Sequence, residues 1–178
     1  MNLRETLEKN QYIGYGIGGI LILIAVVTVF VQAGGYHGLP PGVSTRAFYT
    51  TEDQLTGQAA LDALFVDDVN RVPPFDHNGK PAYLAIVLQC NGGHTRWVNT
   101  LQRWKASAKS KVESLVAEAV ANGARTRVAI GDDERSLQEV KSPGPGPWVP
   151  SSSPAGIEVE APKIPAGYPA DDLTNAVP

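Results

Sequence analysis

The sequence predicts an α+β protein: a small antiparallel sheet covered by one helix, carried on an N-terminal transmembrane helix and followed by a disordered, proline-rich tail. Three observations predict it. Residues 12–31 form an unbroken apolar run with no charge and no proline. Residues 45–101 hold short β-branched and aromatic segments punctuated by glycine and proline. Residues 104–122 carry an apolar stripe at helical spacing. The chain therefore divides into a cytoplasmic N-terminus (1–11), a spanning helix (12–31), a linker (32–44), an external domain (45–141) and a flexible tail (142–178).

The run YIGYGIGGILILIAVVTVFV matches the roughly 20 residues that a helix needs to cross a hydrocarbon core. A helix also satisfies its own backbone polar groups, as lipid demands. Arg4 and Lys9 precede the run, and no lysine or arginine follows it until Arg46. That asymmetry places the N-terminus in the cytoplasm and the remaining chain outside the inner membrane, with a single pass. The competing reading is a cleaved signal peptide, for which Val31 and Ala33 offer the small residues a signal peptidase accepts. The run exceeds the roughly 7–15 residues of a signal core, so a retained anchor is expected. Gly14 and Gly18 form a GxxxG, a spacing that lets two spanning helices approach closely. Glycine is also common in spanning helices for general reasons. The expected partners are thus the bilayer and an envelope protein, with a homodimer through this helix as the alternative to the general reading of its glycines.

The linker 34–44, GGYHGLPPGVS, has too much glycine and proline for regular structure. TRAFYTT at 45–51 reads as a strand. AALDALFV at 59–66 reads equally as a helical turn or a short strand. In VPPFDHNGKP at 72–81 the two prolines stop any preceding element. Asn78-Gly79 then marks a turn, since both residues tolerate positive φ. YLAIVLQC at 83–90 is apolar on both faces, which predicts a central strand. Asn91-Gly92-Gly93 turns the chain, and 94–101 returns antiparallel. In the helix, Ala108, Val112, Leu115, Val116, Ala119 and Val120 share one stripe, expected to cover a sheet face. Gly123 stops it. RTRVAI at 125–130 reads as an additional strand, and residues 137–141 as a short strand or a helical fragment against which Trp148-Val149 can pair. The tail from Ser142 has nine prolines in 37 residues. By composition it is too poor in apolar surface to order itself.

The 178 residues carry a net charge of −3, so no nucleic-acid partner is expected. Residues 32–82 are net acidic and 83–123 net basic, a division that predicts pairing between the halves of one domain. The single cysteine, Cys90, excludes an intrachain disulfide.

VPPFDHNGKPA, with FYTTED upstream and a strand ending in Cys90 downstream, resembles uncharacterised small membrane-anchored bacterial proteins of the planctomycete type. The resemblance runs from about Phe48 to Trp104, with EVKSPGPGPWVP near the end. It implies an exported, β-rich envelope module and no particular activity.

Asp76, His77, Cys90 and His94 are the weak candidates for a metal or thiol site. Zinc and copper accept such ligands. Cys90 and His94 bracket one turn, but no paired ligand motif supports them. A buried thiol beside a surface histidine is the plainer expectation. Nucleophilic chemistry at Cys90 has no visible orienting group. Glycines 14–19 mimic a phosphate loop but follow no strand. No cofactor and no catalysis are expected. The expected function is that of an anchored envelope protein with a structural or protein-interaction role. The alternatives are a pilin-like or secretion-system subunit and a thiol- or metal-dependent enzyme built on Cys90.

Overall fold

A computed structural model describes residues 44–178 of the chain. The apolar run 12–31, its Gly14 and Gly18, and the linker up to residue 43 lie outside the described residues. Among the described residues no helix is long and apolar enough to cross a membrane. The fold they make is α+β, with one antiparallel sheet and short helices.

Strand β1 (Arg46–Thr50) is followed by helix α1 (Gly57–Asp62) and strand β2 (Phe65–Asp68). The ambiguous segment 59–66 thus divides: its alanine-rich half is helical, and its Phe65-Val66 end is a strand. Strand β3 (Phe75–His77) turns at Asn78-Gly79, with φ of 55° and 79°, into β4 (Lys80–Cys90). Two successive positive φ values are what a two-residue hairpin needs. A short 3-10 turn (Asn91–Gly93) leads to β5 (Thr95–Trp104).

Helix α2 (Ala106–Ala121) ends on Gly123 at φ 92°. There the Gly123 and Ala124 amides donate to Val120 O and Ala119 O at 3.0 Å each. These bonds satisfy carbonyls the helix leaves open. Then follow α3 (Asp132–Arg135), β6 (Gln138–Lys141), β7 (Val149–Pro150), α4 (Pro154–Glu160) and β8 (Thr174–Asn175). The strand order is β2-β1-β4-β5-β6-β7, with β3 and β8 also paired to β4.

Register sorts the side chains by face, because cross-strand partners share one. Tyr49 pairs with Leu84, Leu84 with Gln102, and Gln102 with Val140. Tyr49 and Val140 are fully buried on this second face, where Phe65 and Phe75 pack with Tyr49 and Leu84. The first face carries Phe48, Ala85, Val87 and Leu101, covered by Ala60 of α1 and by Trp148.

Four expectations are corrected. The α2 stripe does not lie along the sheet. Ala108 and Val112 pack with Trp104 and Val72, while Leu115 and Val120 remain exposed at 37% and 45%. The sheet's first face is taken by α1 and Trp148 instead, so one helix does not supply the cover. Residues 125–130 form no strand and cross the second face as irregular chain. The acidic and basic halves do not pair with each other among the described residues. Lys111 meets Glu134, Arg103 meets Glu139 and Asp53 meets Lys141, so each half pairs with residues 134–141. Arg71–Asp67, Lys80–Glu52 and Lys109–Glu113 lie within one half.

The fourth correction is the tail. Residues 142–178 hold two strands and a helix that dock on the sheet. Pro154 occupies the helix start, where no amide is needed. Ser153 Oγ accepts from the Gly156 amide at 3.0 Å. A side chain at Gly156 would bring its Cβ to 2.1 Å from Pro150 O, so only glycine fits that turn. The sheet meets the tail through an irregularity. Ile86 pairs with Thr100 but Val87 with Val98, leaving Asn99 as the extra residue of a bulge. A bulge re-aims the residue it inserts. Asn99, 3% exposed, accepts from the Lys163 amide at 3.0 Å and donates to Glu160 O at 3.3 Å. Thr100 Oγ1 donates to Val159 O at 3.1 Å.

On the first face a lysine is buried. Lys141 is 1% exposed, and its Nζ donates to Asp53 Oδ2 at 2.8 Å. Trp148 lies across this pair, with Arg103 stacked 4.3 Å from its ring centre and Tyr83 5.0 Å away. Burial alone would raise the Asp53 carboxyl. Hydrogen bonds from Lys141, Gln54 and Trp148, with the lysine charge, outweigh that and hold it below its ordinary value. A depressed folded pKa contributes stability above the ordinary carboxylate range, near pH 4, and loses it as pH falls through the folded value. Breaking a buried pair costs about 3–5 kcal/mol. Asp53 keeps 24% of its side chain exposed, which lowers that figure. Asp53→Asn should therefore lose about 2–3 kcal/mol at pH 7 by urea unfolding. It should also flatten the fall in stability as the pH drops below the ordinary carboxylate range. Unchanged stability at pH 7 would contradict this role.

Candidate binding cleft

The four residues singled out for metal or thiol chemistry are not brought together. Cys90 ends β4 and is 1% exposed, in register with Thr95. His94 is exposed in the adjacent turn. Asp76 and His77 sit on β3, against the first residues of β4. Eleven residues of extended strand separate the two ends by about 30 Å. His77 stacks on Phe65 at 3.8 Å, and Asp76 Oδ1 accepts from the Gly79 amide at 3.3 Å. Among the described residues no three His, Cys, Asp or Glu side chains are grouped so as to hold a metal ion.

The second face holds a different arrangement. A cleft of about 490 Å³ opens over β4, β5 and β6, between α2, the Val69–Pro73 loop and the crossing segment 127–130. Its floor and inner wall are apolar: Leu84, Trp104, Val112 and Val116. Trp104 is 8% exposed and is fixed through its amide, which donates to Pro73 O at 2.9 Å. A short chain of amides continues the floor. Gln138 Nε2 donates to Gln102 Oε1 at 3.2 Å, and Gln102 Nε2 to Glu160 Oε1 at 3.3 Å. Both glutamines sit on β strands by register, so their spacing is set by the sheet.

Three arginines line the opening: Arg71, Arg127 and Arg135. Arg71 is already engaged, 3.2 Å from Asp67 and stacked 5.3 Å from the Phe75 ring centre. Arg127 and Arg135 make no ion pair among the described residues. The segment carrying Arg127 is pinned where the Val128 amide donates to Asn70 Oδ1 at 3.1 Å. Arg135 closes α3, whose Glu134 pairs with Lys111. Beneath this opening Tyr49 is fully buried, and its hydroxyl donates to Asp68 O at 2.8 Å. Burial pushes the phenol upward, against the nearby Arg127 charge, so it remains a neutral donor.

These residues carry no motif. Arg127 and Arg135 lie outside any strand, and RTRVAI reads as a strand from its β-branched residues. The early signal is Gln102 two residues before Trp104 on one strand, which puts both on one face. The chain matches no protein-family model, no curated protein and no solved structure.

Cys90 should behave as a core residue. Its thiol should react with an aromatic disulfide reagent only at the rate of unfolding and stoichiometrically in urea. Rapid labelling of the native chain would contradict its burial.

Proposed function

We propose that this chain is a single-pass, membrane-anchored envelope protein whose outward domain binds a partner component and performs no catalysis. The cleft on the second face is the observation that carries the binding part. It combines an apolar floor, ordered amides and charged groups at its mouth, the composition of a recognition site. The apolar run 12–31 carries the anchoring part, and the basic residues ahead of it support an outward-facing domain. The VPPFDHNGKPA resemblance supports an envelope setting. The GxxxG of Gly14 and Gly18 supports a dimer in the membrane.

Two measurements test the reading. After alkaline extraction of membranes, the full-length mass should remain in the pellet. A soluble species beginning at Gly34 would overturn the anchor. For the binding role, a photo-crosslinking residue at Val116, in the cleft wall, should give a discrete adduct in intact membranes. The same residue at Gln58, on α1 over the opposite face, should give none. Equal or absent adducts at both positions would overturn the cleft as the working surface.

A further inference from the structure

The cleft's chemistry narrows what it binds, given the reading that it is the working surface. We propose that it takes an amphipathic carboxylate: an apolar body of small-molecule size bearing one carboxylate head. The volume, about 490 Å³, falls in the range of small-ligand sites. The apolar floor of Leu84, Trp104, Val112 and Val116 receives the body. The charge at the opening selects the head. Of the charged side chains lining the cleft, three are arginines and one is Glu160. Glu160 accepts from the neutral Gln102 amide and keeps its charge, and Arg71 is paired with Asp67. Arg127 and Arg135 form no ion pair among the described residues, both are exposed, and together they outnumber the one carboxylate of the cleft.

Guanidinium groups present a planar fork of donors that matches a carboxylate in two parallel bonds. A cation would meet two unpaired positive charges, and a neutral apolar molecule would leave both without a counter-ion. The amides of Gln102 and Gln138 continue the floor, where a polar linkage in the ligand would meet them. The carboxylate can belong to a free organic acid or to the C-terminal end of a peptide, which share this chemistry.

The test uses the full chain in lipid nanodiscs and equilibrium dialysis. The probes are 4-phenylbutyrate, its neutral amide, and N-acetyl-phenylalanyl-phenylalanine as a peptide carboxylate. 4-Phenylbutyrate should bind at one site and about tenfold more tightly than its amide, the step expected from one charge-assisted contact. Arg127→Gln and Arg135→Gln should each weaken the acid by about tenfold and leave the amide unchanged. Lys109→Gln, on the exposed face of α2 and paired to Glu113, should change neither. Melting temperatures of both variants are measured alongside, and the comparison is read on variants that melt with the parent. Tighter binding of the dipeptide than of 4-phenylbutyrate assigns the carboxylate to a peptide end, and the reverse assigns it to a free acid. Equal binding of acid and amide, or arginine variants that bind as the parent does, would overturn the carboxylate while leaving the cleft a binding site. Absence of binding by all three probes would overturn the proposal itself, and the Val116 crosslink separately decides whether the cleft binds a partner.

Discussion

The rest of the domain depends on the pairing of a single strand. β4 is hydrogen-bonded to β5 along residues 84–90. Its other edge is shared by two segments from opposite ends of the described chain. β1 takes Tyr83 and Leu84, and β8 takes Leu88 and Gln89, with the Ala176 amide donating to Val87 O at 2.9 Å. An exposed strand edge presents unpaired donors and acceptors to other chains. Here the first strand covers the start of that edge and the last strand its end, with Ala85 and Ile86 between them. The C-terminal residues are therefore part of the sheet, and the sheet is complete only when they are in place.

Buried polar groups then fix how the remaining segments dock. Asn99 and Thr100 bond each other and also the backbone of residues 159–163. Lys141 offers a charge that only the Asp53 loop neutralises. An apolar core tolerates small slips of register, whereas a buried donor without its acceptor costs about 1–3 kcal/mol. These contacts connect fold to function. Glu160, which reaches the cleft, is placed by the same α4 end that Asn99 holds. Gln102 and Gln138 are placed by register, and Arg127 by the bond from Val128 to Asn70. On α2 only Ala108 and Val112 are buried, and the next turn, with Val116, forms the cleft wall.

What the sequence made legible follows from how local each signal is. Alternation and apolar density found β1, β4 and β5, and Asn78-Gly79 and Gly123 located a hairpin and a helix end, because these depend on adjacent residues. The tail was misread for a physical reason. Its prolines look like disorder in composition, yet Pro154 starts a helix, Pro150 ends the short edge strand β7, and its missing apolar surface is replaced by hydrogen bonds to Asn99 and Thr100. Those partners lie about 60 residues away, beyond any local pattern. RTRVAI forms no strand because its backbone is committed elsewhere: the Val128 amide donates to Asn70 Oδ1, and the segment crosses the second face. The candidate site was not legible at all: Asp76, His77, Cys90 and His94 drew attention by residue type, while the cleft is made by arginines and glutamines that only the topology assembles.

The central claim is that both ends of the domain close on β4, and amide hydrogen exchange of the full chain tests it most directly. The amides of Ala176 and Lys163, bonded to Val87 O and Asn99 Oδ1, should be protected alongside those of β4 and β5. Exchange of both at the rate of unstructured peptide, with β4 and β5 still protected, would show that the sheet stands without its tail and would contradict the account.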